Sequence, residues 1–290
     1  MILVTGATGN TGRAVVANLL NAGVPVRAMV RRAEQARQFP VGVDVVVADM
    51  RDAGSLSAAV EGTRQMLLIS PLDPTLVELQ TRMAEVARLG GVERIVKVST
   101  EIADPHSESL IGRWHGLAEK AVEATGLGFF HLRPCNFMQN LETFAAEIQS
   151  ASHFSAPLGA APISLVDVGD LAAVAAATLL RKEPRDGCAV VTGEDRPTYA
   201  QFAAQLSLAI GRPIQYHPID PDEALRRFLA AGAPPWKAQE LILMYAHLQN
   251  PAHTRTTDVV LQFTGKSPRR FAAFVKDYAA HLMRKDTRHG

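Results

Sequence analysis

"VTGATGNTG", residues 4–12, follows the short apolar run "MILV" and opens the helical pattern "TGRAVVANLLNAG". Its glycines stand at 6, 9 and 12. Each has its own steric reason in a strand–turn–helix unit that binds a dinucleotide. Gly6 permits the tight turn, Gly9 lets the backbone approach a pyrophosphate, and Gly12 lets the helix pack closely on the sheet. The helix N-terminus then points its unpaired N–H groups at the phosphates. A purely structural turn is the alternative, and it leaves the glycine spacing between strand and helix unexplained.

Working outward, the same alternation of apolar runs and helical patterns recurs. "VPVRAMV" (24–30), "VDVVVAD" (43–49), "QMLLIS" (65–70), "RIVKVS" (94–99) and "LGFFHLRP" (127–134) are near-continuous aliphatic or β-branched runs. Such runs suit strands buried on both faces of a parallel sheet. Between the third and fourth of these runs lies "DPTLVELQTRMAEVARLGG" (73–91), with Asp73 expected as N-cap, Pro74 at the first helical position and Gly90-Gly91 as the stop. The fold expected is α/β, a Rossmann-type doubly wound parallel sheet. "ISLVDV" (163–168) and the helix "GDLAAVAAATLL" (169–180) are expected to add one more unit to it.

The texture changes near Pro184, after which helical patterns dominate and "CAVVTG" (188–193) and "IQYHPI" (214–219) are the strand candidates. The expected division is a nucleotide-binding domain over 1–183 and a smaller, mostly helical C-terminal lobe over 184–290. Thr198 with Gln201, and Asp220 with Pro221 and Glu223, mark helix starts in that lobe. The stretch "ASHFSAPLGAAP" (151–162) reads as a loop suited to covering a cleft.

Apolar residues make up 47% of the 290 and charged residues 20%, with a formal net charge of +1. That balance gives no reason to expect a nucleic-acid partner. Cys135 and Cys188 are the only cysteines and fit neither a metal nor a redox spacing. No metal is expected. No apolar run approaches the ~20 residues of a membrane span, so a cytoplasmic protein without membrane attachment is expected. Oligomeric state is left open.

At the end of the second strand, where an acidic residue would bind the ribose 2′-hydroxyl of NAD, this chain has Arg31 and Arg32. A guanidinium fork suits a 2′-phosphate, which favours NADP(H) over NAD(H). Asp49 and Met50, ending the third strand, are placed to contact adenine. Ser70 and Pro71, ending the fourth, are placed beneath the nicotinamide ribose.

"TGATGNTG", "LRPCNFMQN" (132–140), "SLVDVGDLAAVAAATL" (164–179) and "VVTGEDRPTYAQFAAQLSLAIGRPIQYH" (190–217) together resemble the NmrA-like family, an atypical branch of the short-chain dehydrogenase/reductases. The resemblance implies one of two functions. One is an NADPH-dependent quinone or dye reductase acting on a small-molecule electron acceptor. The other is a non-catalytic NADP(H)-binding redox sensor. It implies cofactor contacts from Gly6, Thr8, Gly9, Asn10, Thr11, Gly12, Arg31, Arg32, Asp49, Met50, Ser70, Pro71, His115 and Pro134. Asn136, Phe137 and Met138 are the expected substrate residues, with plain packing as the alternative for Met138.

His115, in "LIGRWHGLAEK" (110–120), is the catalytic candidate. The family position implies a group near the nicotinamide ribose. A helix histidine satisfied by Glu119, one turn later, is the competing reading. The tyrosine of the wider superfamily falls at Ile111, and the four tyrosines (199, 216, 245, 278) all lie in the C-terminal lobe, none followed four residues later by lysine. Without a tyrosine–lysine acid pair, ketone reduction is disfavoured, because an alkoxide needs a strong proton donor. A quinone leaves a stabler hydroquinone anion, and a cationic dye needs no proton. A flat, conjugated acceptor is therefore expected.

Overall fold

The computed structural model describes residues 1–183, 185–251 and 254–286, so the expected boundary at Pro184 lies outside the described residues. In chain order the first half contains β1 (Ile2–Val4), α1 (Asn10–Asn21), β2 (Val26–Val30), β3 (Asp44–Val47), α2 (Ala53–Val60), β4 (Gln65–Leu68), α3 (Leu76–Leu89), β5 (Arg94–Val98), α4 (Leu110–Ala124) and β6 (Gly128–Pro134). Then come β7 (Asn136–Phe137), α5 (Ala145–Ala151), β8 (His153–Ala156), β9 (Leu165–Val166), α6 (Val168–Leu179) and β10 (Gly187–Val191). The chain ends with α7 (Tyr199–Ile210), β11 (Gln215–Pro218), α8 (Pro221–Ala230), α9 (Pro235–Gln249), α10 (Val259–Thr264) and α11 (Phe271–Asp286). Two compact units result: Met1–Pro134, Val168–Val191 and Val259–Lys266 form the first, and Cys135–Asp167, Thr192–Asp258 and Ser267–Gly290 the second. Residues 135–167 thus join the second unit and 259–266 the first, where a single cut after residue 183 would have reversed both.

The first unit is built on a seven-stranded sheet in the order β10-β6-β5-β4-β1-β2-β3. Every pairing within it is parallel. The expected doubly wound α/β sheet is therefore present. Strand order reverses at β1, which pairs with β2 on one side and β4 on the other. A sheet of this kind opens a crevice beyond the strand C-termini at that reversal. Helices α2, α3 and α4 cover the sheet face whose core includes Leu3, Met66, Leu68, Met83, Ile95 and Val122. Helices α1, α6 and α10 pack on the opposite face.

The seventh strand corrects one expectation. "ISLVDV" contributes only β9, which pairs with β7 in a separate two-stranded sheet. The strand that follows α6 into the main sheet is β10, from "CAVVTG", in register with β6 from Gly187↔Phe130 to Val191↔Pro134. Helix α6 is the crossover between these two parallel strands, and a β-strand and its crossover need not be adjacent in sequence texture. Two smaller corrections are local. Residues 153–156 of the expected loop form β8, paired with β11 from His153↔Gln215 to Ala156↔Pro218. Helix α3 starts at Leu76 with Thr75 at its cap, because the Asp73 carboxylate accepts from the Thr75 N–H at 2.9 Å and so forms a turn before the helix.

The second unit is mostly helical, with Phe154 and Phe202 fully buried among Met138, Leu141, Phe144, Tyr199 and Tyr278. Thr198 and Gln201 form the expected reciprocal cap of α7, and Asp220 accepts from Asp222 N and Glu223 N at the start of α8. Among the described residues no helix is long and apolar enough to cross a membrane.

Candidate active site

The glycine turn after β1 has the geometry its spacing requires. Gly6 is at φ +59°, in the left-handed region, and a Cβ there would meet Ile69 Cβ at 2.9 Å. The Gly9 N–H donates to Gly6 O at 3.0 Å, closing the turn. Gly9 then caps α1 in an extended conformation without a side-chain acceptor, so the first N–H groups of the helix face the turn's mouth. A Cβ on Gly12 would lie 2.3 Å from Gly6 O. Helix α1 can therefore sit against the turn only because this residue has no side chain. Thr5 ties the ends of two strands together: its hydroxyl donates to Ile69 O at 2.8 Å and receives the Ile69 N–H at 2.8 Å.

A cleft opens beyond these strand ends in the first unit. Gly6, Thr8 and Gly9 line it after β1, Met29 to Arg31 at β2, Asp49 to Arg51 after β3, Ile69 to Pro71 after β4, and Leu79 from α3. Eight of the residues expected at the nucleotide meet here: Gly6, Thr8, Gly9, Arg31, Asp49, Met50, Ser70 and Pro71. Asn10, Thr11 and Gly12 form the first turn of α1. Arg32 is exposed and pairs with Glu34 at 3.2 Å, and it is not among the lining residues. Pro134 ends β6. Asn136 and Phe137 form β7 in the second unit, and Met138 is fully buried in that unit's core. The packing reading of Met138 is the one its surroundings match. Arg51, Met29, Val30, Ile69 and Leu79 also line the cleft and were not expected there. Arg51 is paired with Asp73 at 3.1 Å. Their signal was position alone, immediately beside strand ends already singled out.

His115 does not bond to Glu119. Its Nδ1 lies 2.9 Å from Lys97 Nζ, and Lys97 Nζ also donates to Ser99 Oγ at 3.0 Å. Ser99 Oγ donates in turn to Glu119 Oε1 at 2.5 Å. Arg133 closes the network, its Nε donating to Glu119 Oε1 at 3.1 Å and its Nη2 to Oε2. Alternation along β5 puts Lys97 and Ser99 on the face of Ile95, beneath α4; His131 and Arg133 take the matching positions on β6. Lys97 has no exposed surface. Burial, countered by Glu119 and reinforced by Arg133, pushes its pKa down to about 7. Burial and the neighbouring Lys97 hold His115 well below the usual imidazole value. Burial alone would raise the Glu119 pKa, but hydrogen bonds from Arg133 and Ser99 outweigh it and keep the carboxylate ionised. Among the described residues, no group of His, Cys, Asp and Glu is arranged to hold a metal ion.

The model of the NmrA-like family matches residues 1–260. The chain belongs to the NmrA-like family. It is 34% identical over 281 residues to an NAD(P)H azoreductase of Xenophilus azovorans, covering 97% of this chain and 98% of that protein. It is also 34% identical to a (4-alkanoyl-5-oxo-2,5-dihydrofuran-3-yl)methyl phosphate reductase of Streptomyces griseus, over 96% of this chain and 98% of the relative. An NADPH-dependent quinone oxidoreductase from Escherichia coli, complexed with NADPH, superposes with a TM-score of 0.87 at 24% identity, covering 96% and 99% of the two chains. At that identity the likeness speaks for a shared fold.

Within this family frame, Lys97 is the functional candidate that sequence reasoning missed. "RIVKVS" offered a signal, since a lysine inside an aliphatic run destined for burial on both faces needs a reason to be there. "GFFHLRP" offered the same signal in His131 and Arg133.

Proposed function

We propose that this NmrA-like protein is an NADPH-dependent reductase that passes a hydride to a quinone or another flat, conjugated acceptor. The coarser statement, an NAD(P)H-dependent oxidoreductase, rests on family membership and on two reductases related at 34% identity along almost the whole chain. One observation carries the finer one: a cleft at the sheet's reversal point, lined by a glycine-rich turn and by Arg31. Gly9 leaves the mouth of the turn without a side chain, which fits a pyrophosphate, while Gly6 and Gly12 let the turn and α1 close up behind it. The helix N-terminus would offer N–H donors to the pyrophosphate, Arg31 would meet the 2′-phosphate, and Met50 would pack against adenine. Ser70 and Pro71 would hold the ribose of the nicotinamide. Bound NADPH supplies the hydride. The chain's own part is to orient the nicotinamide beside a flat acceptor and to exclude water, which supplies most of the rate. His115 does not line this cleft; its family position assigns it to the acceptor's oxygen, where it would act as a neutral imidazole rather than an imidazolium. That one of these relatives is an NAD(P)H azoreductase supports a conjugated acceptor.

The test is steady oxidation of NADPH in the presence of a panel of quinones and dyes. Sustained turnover is expected. Tight binding without turnover would select a redox sensor instead.

A further inference from the structure

We infer, resting on the reductase reading above, that Lys97 is a positioning residue of this site that acts through His115: its ammonium holds the imidazole in the Nε2–H form and replaces the proton that Nε2 gives to the reduced acceptor.

The hydrogen-bond directions leave little freedom. The Ser99 hydroxyl donates its one proton to Glu119 Oε1, so toward Lys97 it accepts. An ammonium has no acceptor, so at 2.9 Å His115 Nδ1 accepts as well. The imidazole proton then sits on Nε2. Lys97 is fully buried while His115 and Arg133 are partly exposed; a guanidinium keeps its protons, which leaves the imidazole as the network's outlet for a proton. Nor is Lys97 needed to neutralise Glu119, because Arg133 already binds that carboxylate through both oxygens. A buried ammonium without that duty is costly compared with an apolar side chain.

The groups facing Lys97 are His115 and Glu119 from α4, Ser99 on its own strand, and His131 and Arg133 from β6. Glu123 lies behind His131, 3.4 Å from its Nε2. Glu119 favours the Lys97 ammonium, whereas burial and Arg133 oppose it, leaving a pKa of about 7. A proton donor near working pH is the most effective kind. His115 is held too low to be a cationic acid itself, so the proton has to enter at Nδ1 as another leaves from Nε2.

For a quinone, the balance is quinone plus reduced nicotinamide plus one proton giving hydroquinone plus oxidised nicotinamide. The hydride leaves an oxyanion on the acceptor. The Nε2–H bond breaks and an O–H bond forms, while one Lys97 N–H bond breaks and an Nδ1–H bond forms. Solvent resets the pair by protonating Nε2, with return of the Nδ1 proton to Lys97. A cationic dye takes the hydride alone and bypasses the relay.

The experiment compares a soluble benzoquinone with a cationic triarylmethane dye at saturating NADPH from pH 5.5 to 9. In the wild type the quinone-to-dye turnover ratio is expected to fall as pH rises through about 7. In Lys97→Met the ratio is expected to drop about 10–100-fold at pH 6.5 and to lose its pH break. In Lys97→Arg a guanidinium restores the bond to Nδ1 without giving up a proton, so the ratio stays low. The second readout is nitrogen NMR of His115 in the wild-type protein, expected to show Nε2 protonated and Nδ1 bare at pH 6.5. It holds the proposal to account even where a Lys97 variant does not fold. A proton found on Nδ1, or a Lys97→Met protein with the wild-type ratio and pH break, would overturn it. A wild type that reduces neither probe overturns the reductase reading and the relay with it. The relay's own failure differs, because it leaves dye reduction in place.

Discussion

A methyl group added at Gly12 and a side chain added at Gly9 should do different things, although both glycines belong to one turn. On Gly12 the Cβ would lie 2.3 Å from Gly6 O and 2.8 Å from Ala7 Cα and Gly6 C. Ordinary contact begins near 3.4 Å, so α1 has to retreat by about 1 Å. No side chain can swing aside, since every atom met is backbone. The retreat loosens Val15, Val16 and Leu19, all buried at 2% exposure or less. Overpacking of this kind costs about 1–3 kcal/mol, and backbone obstacles place Gly12→Ala at the upper end. Alanine's better helix propensity returns about 1 kcal/mol. A net loss of about 2 kcal/mol lowers Tm by roughly 4–8 °C. At Gly9 the nearest atom to a Cβ is Gly6 O at 3.4 Å, and φ −76° with ψ 167° suits a β-branched residue. Gly9→Val should therefore keep a cooperative melt, with Tm lowered only by the roughly 1 kcal/mol that valine costs at a helix N-cap, yet place its methyls in the path of the pyrophosphate. Calorimetric titration with NADPH should show binding lost in the Gly9 variant despite its cooperative melting curve. Unchanged affinity in Gly9→Val would refute the phosphate-turn assignment, and unchanged Tm in Gly12→Ala would refute the close-packing argument.

Arg31→Asp should weaken NADPH binding while sparing NADH, because it removes a 2′-phosphate partner and adds repulsion; equal loss of both nucleotides in titration would count against that role. Glu119→Gln should cost about 2–4 kcal/mol at neutral pH, less than a fully buried pair because Arg133 is a quarter exposed. Glu119 has a lowered pKa in the fold, so its contribution is present above about 4.3, the free value, and is lost as pH falls through the lowered one. Urea melts of the variant should accordingly lose part of the wild type's acid sensitivity. Lys97→Met should stabilise the protein by about 1–4 kcal/mol at pH 6.5, since it removes a buried cation. Here the sign runs the other way: between about 7 and its ordinary value of 10.5 the unfolded lysine holds more protons than the folded one, so wild-type stability rises with pH there. The variant's advantage should shrink over that window, and a variant less stable than wild type at pH 6.5 would show that the lysine stabilises the fold rather than burdening it.

Some features of this protein follow from neighbours in the chain. The glycine turn is one, because Gly6 needs its left-handed backbone and Gly12 its missing side chain for reasons confined to nine consecutive residues. The strands β1, β2 and β4 to β6 are another, since burial on both faces writes itself as an unbroken aliphatic run; β3 carries the same kind of run at the sheet's edge, where Val47 is half exposed, so the burial expected of that run is not found. The ends of those strands then name most of the cleft in advance, because a parallel sheet carries its ligands there. What the chain could not disclose is which distant segments become neighbours. "CAVVTG" and "ISLVDV" look alike as apolar runs, and only pairing with β6 or with β7 distinguishes them. Glu119 stands one helical turn from His115, and local spacing favours that pair. The sheet brings Lys97 and Ser99 up from β5 and Arg133 across from β6, and their fixed donors claim both groups first. A side chain's partner is set by the donors and acceptors packed within about 3 Å of it, and in a parallel sheet those come from residues far away along the chain.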